Sequence, residues 1–148
     1  MSVREDIAQN IVQTLQGITN PAVVIVSRNP INTTDLAITQ YPAIMVRTTT
    51  EAREDITQNG LRMGEIDYTI TGFVRASASA TTITNNIDTQ RNALVEAIEE
   101  ALETDRQRNT KALNCYVSSV TVDDGTIYPL GRIDITFTVQ YKYTRGTV

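Results

Sequence analysis

The sequence predicts an α+β fold, a mixed or antiparallel sheet of about five strands with two helices on one face. The elements run in the order α-β-β-β-α-β-β. Three observations predict this. From Arg132 to Thr144 the residues alternate, with Ile133, Ile135, Phe137, Val139, Tyr141 and Tyr143 on one side and Asp134, Thr136, Thr138, Gln140, Lys142 and Thr144 on the other. A period of two over that length is a strand with one buried face. Near the start, Ile7, Ile11 and Leu15 recur at helical spacing, and Ile87, Leu94, Ile98, Ala101 and Leu102 do so later. Each set is one apolar stripe, able to cover one sheet face.

The elements follow in order. Ser2 can cap the first helix with Glu5 as its reciprocal partner, and Gly17 ends it. After Pro21, the run Ala22 to Val26 is short, β-branched and continuous, so it reads as a strand buried on both faces. Ser27 to Tyr41 is a loop punctuated by Pro30 and Asn32, with Pro42 after it. The second strand is Ala43 to Thr48. The third, Met63 to Ala76, alternates Ile66, Tyr68, Ile70, Gly72 and Val74 with Asp67, Thr69, Thr71, Phe73 and Arg75. Ala76 to Ala80 is a small-residue linker. The second helix spans about Thr84 to Asp105, with Arg91 interrupting its stripe and Glu96, Glu99, Glu100 and Glu103 on its outer face. Arg106, Arg108 and Lys111 follow its end, where cations complement the helix dipole. On the fourth strand Leu113, Cys115 and Val117 share one face while Val120 and Val122 have the other parity, which places a bulge near Ser118-Ser119.

Composition narrows the function. The chain has 148 residues, long enough for one domain over 1–148 with a core of its own. The N-terminus is charged rather than a signal sequence, and no apolar run approaches the ~20 residues that cross a bilayer. Net charge is −4, and eleven of the thirteen basic residues are arginine. That balance argues against nucleic-acid binding, and the arginines suit interface ion pairs. There is no histidine and one cysteine, which removes the commonest general base and a thiolate zinc cluster. Cys115 reads as an inert strand residue, Asp123-Asp124 as a solvated turn ahead of Gly125, and the glutamates of the second helix as a solvated face.

The polar segment from Thr49 to Gly60 reads as an extended connection between antiparallel strands, a candidate arm over 49–61. Glu51, Arg53, Glu54, Asp55, Gln58 and Asn59 are its candidate protein-contact residues. They offer charge and few anchors for a core, so removing Glu51 to Asn59 is expected to leave the fold intact.

These features resemble the tail terminator proteins of long-tailed bacteriophages, also called tail completion or minor tail proteins. The residues that carry the likeness are the opening helix VREDIAQNIVQTLQGI with VVIVSRNP after it, the strand YPAIMVRTTTEARED, the strand GEIDYTITGFVRA before the helix DTQRNALVEAIEEAL, and the close GRIDITFTVQYKY. The likeness lies in element order and pattern across almost the whole chain. It implies a homo-hexameric ring on the tail tube protein that ends tube polymerisation and receives a head-completion or neck protein. It also implies location in the virion, no catalysis, no cofactor and no metal. Purified protein is then expected not to bind duplex DNA. Alternatives are another phage neck or tail subunit, such as a head-closure or tube protein, and a small cellular ligand-binding domain or enzyme.

Overall fold

The computed structural model describes residues 3–29, 40–55, 61–75, 87–105, 108, 112–123 and 130–144, the side chains of Asp55 and Thr144 excepted. Among these residues the order is α1 (Val3–Gln16), β1 (Ile25–Ser27), β2 (Ala43–Asp55), β3 (Leu61–Arg75), α2 (Ile87–Glu103), β4 (Asn114–Val122) and β5 (Leu130–Thr144). The five strands form one sheet in the order β1-β2-β3-β5-β4. β1 is parallel to β2, and the other neighbours are antiparallel. The α+β class and the element order are as the sequence predicts, and the sheet is mixed.

Both helical stripes enter one core. Ile7, Ala8, Ile11 and Leu15 of α1 and Leu94, Ile98 and Leu102 of α2 meet Ile44, Val46, Ile66, Ile70, Ile133, Ile135, Phe137 and Val139. Cross-strand partners share a face, and the register sets Ile70 opposite Ile135 and Ile66 opposite Val139. The six alternating apolar residues of β5 from Ile133 to Tyr143 are buried. Gly72 lets α2 approach closely, because a Cβ there would stand 2.7 Å from Leu94 Cδ2.

Two bulges reverse strand parity, and both use a hydroxyl residue. In β4 the register shifts between Val117 and Ser119, at the site the sequence predicts. The extra residue, Ser118, donates its hydroxyl to the Thr136 carbonyl at 3.1 Å. In β2 the shift falls between Thr48 and Thr50, and Thr49 donates to the Asp67 carbonyl at 2.8 Å. Before that bulge Ile44 and Val46 face the helices. After it Glu51 and Arg53 do, opposite Ile66 and Gly64.

This second bulge overturns one boundary. β2 does not stop at Thr48 but continues through Asp55, so the first seven residues of the expected connection, Thr49–Asp55, are strand. The alternation was hidden because the bulge changes the parity and the inward residues beyond it are charged. β1 is a second difference. It is three residues long and lies at the sheet edge, with Val24 beside it 53% exposed. The run therefore is not a strand buried on both faces, since only one neighbouring strand and one helix reach it. Among the described residues α2 runs from Ile87 to Glu103, and the expected start at Thr84 lies outside them. The linker at Ala76–Ala80 and the turn at Asn59-Gly60 lie outside the described residues.

Candidate functional site

The long strands carry the sheet past the helices. There β2, β3 and β5 continue as a three-stranded extension, with Glu51, Arg53, Gly64, Tyr141 and Tyr143 on the helix side. Gly64 is a slot for an aromatic ring, because a Cβ at this position would lie 2.5 Å from Tyr141 Cε1 and 3.1 Å from Glu51 Oε1. The Tyr141 and Tyr143 rings stack at 5.5 Å. Tyr141 donates its hydroxyl to Glu51 Oε1.

Glu51 is the centre of this cluster. Its side chain is 10% exposed, and Oε2 accepts from Arg53 Nε at 3.0 Å and Nη2 at 2.7 Å. Arg4, on the first turn of α1, forms an ion pair with the same oxygen at 3.3 Å. The Arg53 guanidinium lies 5.1 Å from the centre of the Tyr143 ring, and that of Arg62 lies 5.9 Å away. A buried carboxylate is tolerable only with this number of donors. Burial, then the hydrogen bond to Glu51, push the Tyr141 phenol well above its usual range. The hydrogen bond to Glu51 raises Arg53.

The structure therefore separates the six candidate contact residues. Glu51 is an internal anchor, and Arg53 is half-engaged against Tyr143. Both contradict the expectation that this segment has few anchors in the fold. Glu54 is exposed, on the opposite face of β2. Asp55 ends β2 opposite Arg62, and its side chain, with Gln58 and Asn59, lies outside the described residues. Sequence reasoning missed Tyr141 and Gly64 as the partners that hold Glu51. The available signal was an inward tyrosine pair late in β5 together with a glycine near the start of β3.

Other polar groups singled out in the sequence fasten the frame. Asp123 is not a solvated turn residue: its side chain is 12% exposed and accepts from Arg91 Nη1 at 2.8 Å and from the Arg132 amide at 2.7 Å. Arg91 thus closes the apolar stripe by tying α2 to the end of β4. Arg108 is fully buried in the left-handed region at φ 46°. It donates to Asn10 Oδ1 at 3.0 Å and Thr14 Oγ1 at 3.3 Å on α1, and to the Leu102 and Asp105 carbonyls at the end of α2. A cation at the negative end of the helix dipole needs less compensation than one elsewhere. Cys115 is buried against the same carbonyls, and burial raises its thiol pKa. Among the described residues no three His, Cys, Asp or Glu side chains come together as a metal site. Among the described residues no helix is long and apolar enough to cross a membrane.

The helix-free face is a polar sheet surface. Asp67 accepts from Thr138 at 2.8 Å and Thr50 at 3.2 Å, and Asp134 accepts from Thr71 at 2.7 Å and from Arg132. These bonds, all but Arg132–Asp134 cross-strand, stiffen the face while leaving Arg47, Thr50 and Thr121 exposed. On β4, which forms one edge, Tyr116, Val120 and Val122 are 38–41% exposed. The described surface thus offers broad contact area.

No protein-family model matches the chain, and no curated protein does. Among solved structures, the chain resembles one described as the virion of a native gene transfer agent particle. The TM-score is 0.50 at 16% identity, covering 96% of this chain and 92% of the other. At that identity the likeness is one of fold.

Proposed function

We propose that this protein is a structural subunit of a phage-type virion, working by protein–protein contact and not by catalysis. The observation that carries the reading is the fold likeness to a virion chain across nearly the full length of both. Within that class the pattern resemblance to tail terminators supports the finer reading. The protein would form a homo-hexameric ring on the tail tube, stop its polymerisation and present the surface for head–tail joining. A head-to-tail contact closes into a ring when its rotation divides the circle. The extended hairpin, the polar sheet face and the β4 edge are surfaces suited to such contacts. Glu54, Gln58 and Asn59 are the contact residues we assign to the arm. Asp55 is assigned with them, and Glu51 and Arg53 hold its base.

The test is to delete the gene in a particle that carries it and measure tails by electron microscopy. Overlong tails, restored to normal length by the intact gene, are expected. Normal-length tails that fail to join heads would assign the protein to the neck instead, the second reading, since the neighbour's description names a whole virion and no position within it. Normal, fully joined tails would sink both. Imaging of the complemented tails checks the ring, where a two-fold dimer in place of six-fold symmetry would contradict it.

A further inference from the structure

A polar cleft of about 120 Å³ opens at the first turn of α1, lined by Arg4, Glu5, Ala8, Arg28, Thr48 and Tyr68. Tyr68 is 1% exposed, and its hydroxyl makes no hydrogen bond among the described residues. Burial, partly offset by Arg4 and Arg28, pushes this phenol up to about 12, so at neutral pH it is a donor.

Arg4 and Arg28 supply charge to the same space. Arg28 donates through Nη1 to Glu5, and Arg4 pairs with Glu51 through Nε. Neither forms another ion pair or hydrogen bond among the described residues. A guanidinium carries five N–H donors, so both retain donors for a further acceptor. The cleft also lies at the positive end of a 14-residue helix. Glu5 is its one carboxylate, and it is already held by Arg28. The volume equals that of about four waters at ~30 Å³ each, enough for one small oxyanion.

From this convergence of spare guanidinium donors and the Tyr68 phenol that lines the cleft beside them, we infer that the cleft binds a small oxyanion, a carboxylate or a phosphate. The two sources are an acidic side chain of a neighbouring protein chain and the free ion. Arg4 and Arg28 hold the charge, and Tyr68 and Thr48 donate to the remaining oxygens.

The experiment titrates the purified protein with inorganic phosphate and, separately, with N-acetylglutamate amide, at ionic strength matched with sodium chloride. Isothermal titration and melting temperature are the readouts. Saturable binding with a rise of several degrees is expected for at least one ligand. Tighter binding of phosphate identifies the free ion, and tighter binding of the carboxylate identifies a side chain of a neighbour. Tyr68→Phe and Arg28→Gln should each weaken binding at least roughly tenfold, while Arg47→Gln, on the opposite sheet face, should not. If neither ligand binds beyond the chloride control, the inference fails on the parent protein alone, whether or not a variant folds. An unchanged affinity in a folded Tyr68→Phe variant overturns it equally.

Discussion

The sheet is one continuous hydrogen-bonded structure held by two chemistries. Under the helices it is stabilised by dry aliphatic packing, with Ile44, Ile70, Leu94, Ile98, Ile133, Ile135 and Phe137 all fully buried. Beyond them, among the described residues, Arg4 on the first turn of α1 reaches the extension from the helix layer. There Tyr141 fills the Gly64 slot, Tyr143 stacks on it, and Arg4 and Arg53 surround Glu51. The difference shows how a sheet can extend past its core. Large rings supply apolar area from within the sheet, and charged side chains cap them against water. Hydrophobic packing loses stability through cavities and trapped charge. A polar cluster loses it when one member is removed and the rest are left unpaired.

The largest effect should come from the covered half. Phe137→Asp buries an unpaired carboxylate at a fully buried position and should cost about 4 kcal/mol or more, unfolding the protein. A folded variant by circular dichroism would mean the covered face is not the core. In the extension, Gly64→Val should cost about 2–3 kcal/mol by expelling the Tyr141 ring. Denaturant unfolding measures the loss, and an unchanged midpoint would show that the slot is not needed.

Alkaline pH tests the border between the halves. Tyr68 is pushed up to about 12 from its ordinary value of 10, chiefly by burial. A group raised in the folded state contributes stability that is fully present below its unfolded value and is lost as pH rises through the folded one. Stability should therefore fall between pH 10 and about 12, by up to about 2–3 kcal/mol. Tyr68→Phe should flatten that fall, and a variant with the parent's pH profile would remove Tyr68 as its cause.

The smallest effect separates the members of the polar cluster. Tyr141→Phe removes one hydrogen bond and should cost about 1 kcal/mol, whereas Glu51→Ala strands Arg4 and Arg53 as well and should cost roughly 1–3 kcal/mol. Equal costs would mean that Glu51 serves the tyrosine alone. The same cluster changes the expectation for the hairpin: replacing all of Glu51 to Asn59 should now lower stability, because Glu51 and Arg53 belong to the frame.

Much of this fold is legible in the sequence where one physical pattern governs a segment. The alternation of β5, the stripes of both helices and the β4 bulge each follow from burial on one face. The end of β2 was not legible, because the Thr49 bulge broke the alternation and Glu51 and Arg53 look solvated in isolation. Only their partners on β5, ninety residues away for the Tyr141 bond, make them internal. Asp123 failed in the same way, through Arg91 on a different element. The oxyanion cleft draws on α1, β2, β3 and the end of β1 and has no linear motif.

The position of β5 has a consequence for biosynthesis. It is made after every other described element, yet it lies between β3 and β4, pairing with both. A nascent chain halted before Leu130 holds two strand edges with nothing between them and lacks three of the four inward rings, Phe137, Tyr141 and Tyr143. The sheet cannot close until the ribosome has delivered the strand, so unfinished chains remain marked by exposed edges, open to chaperones and proteases.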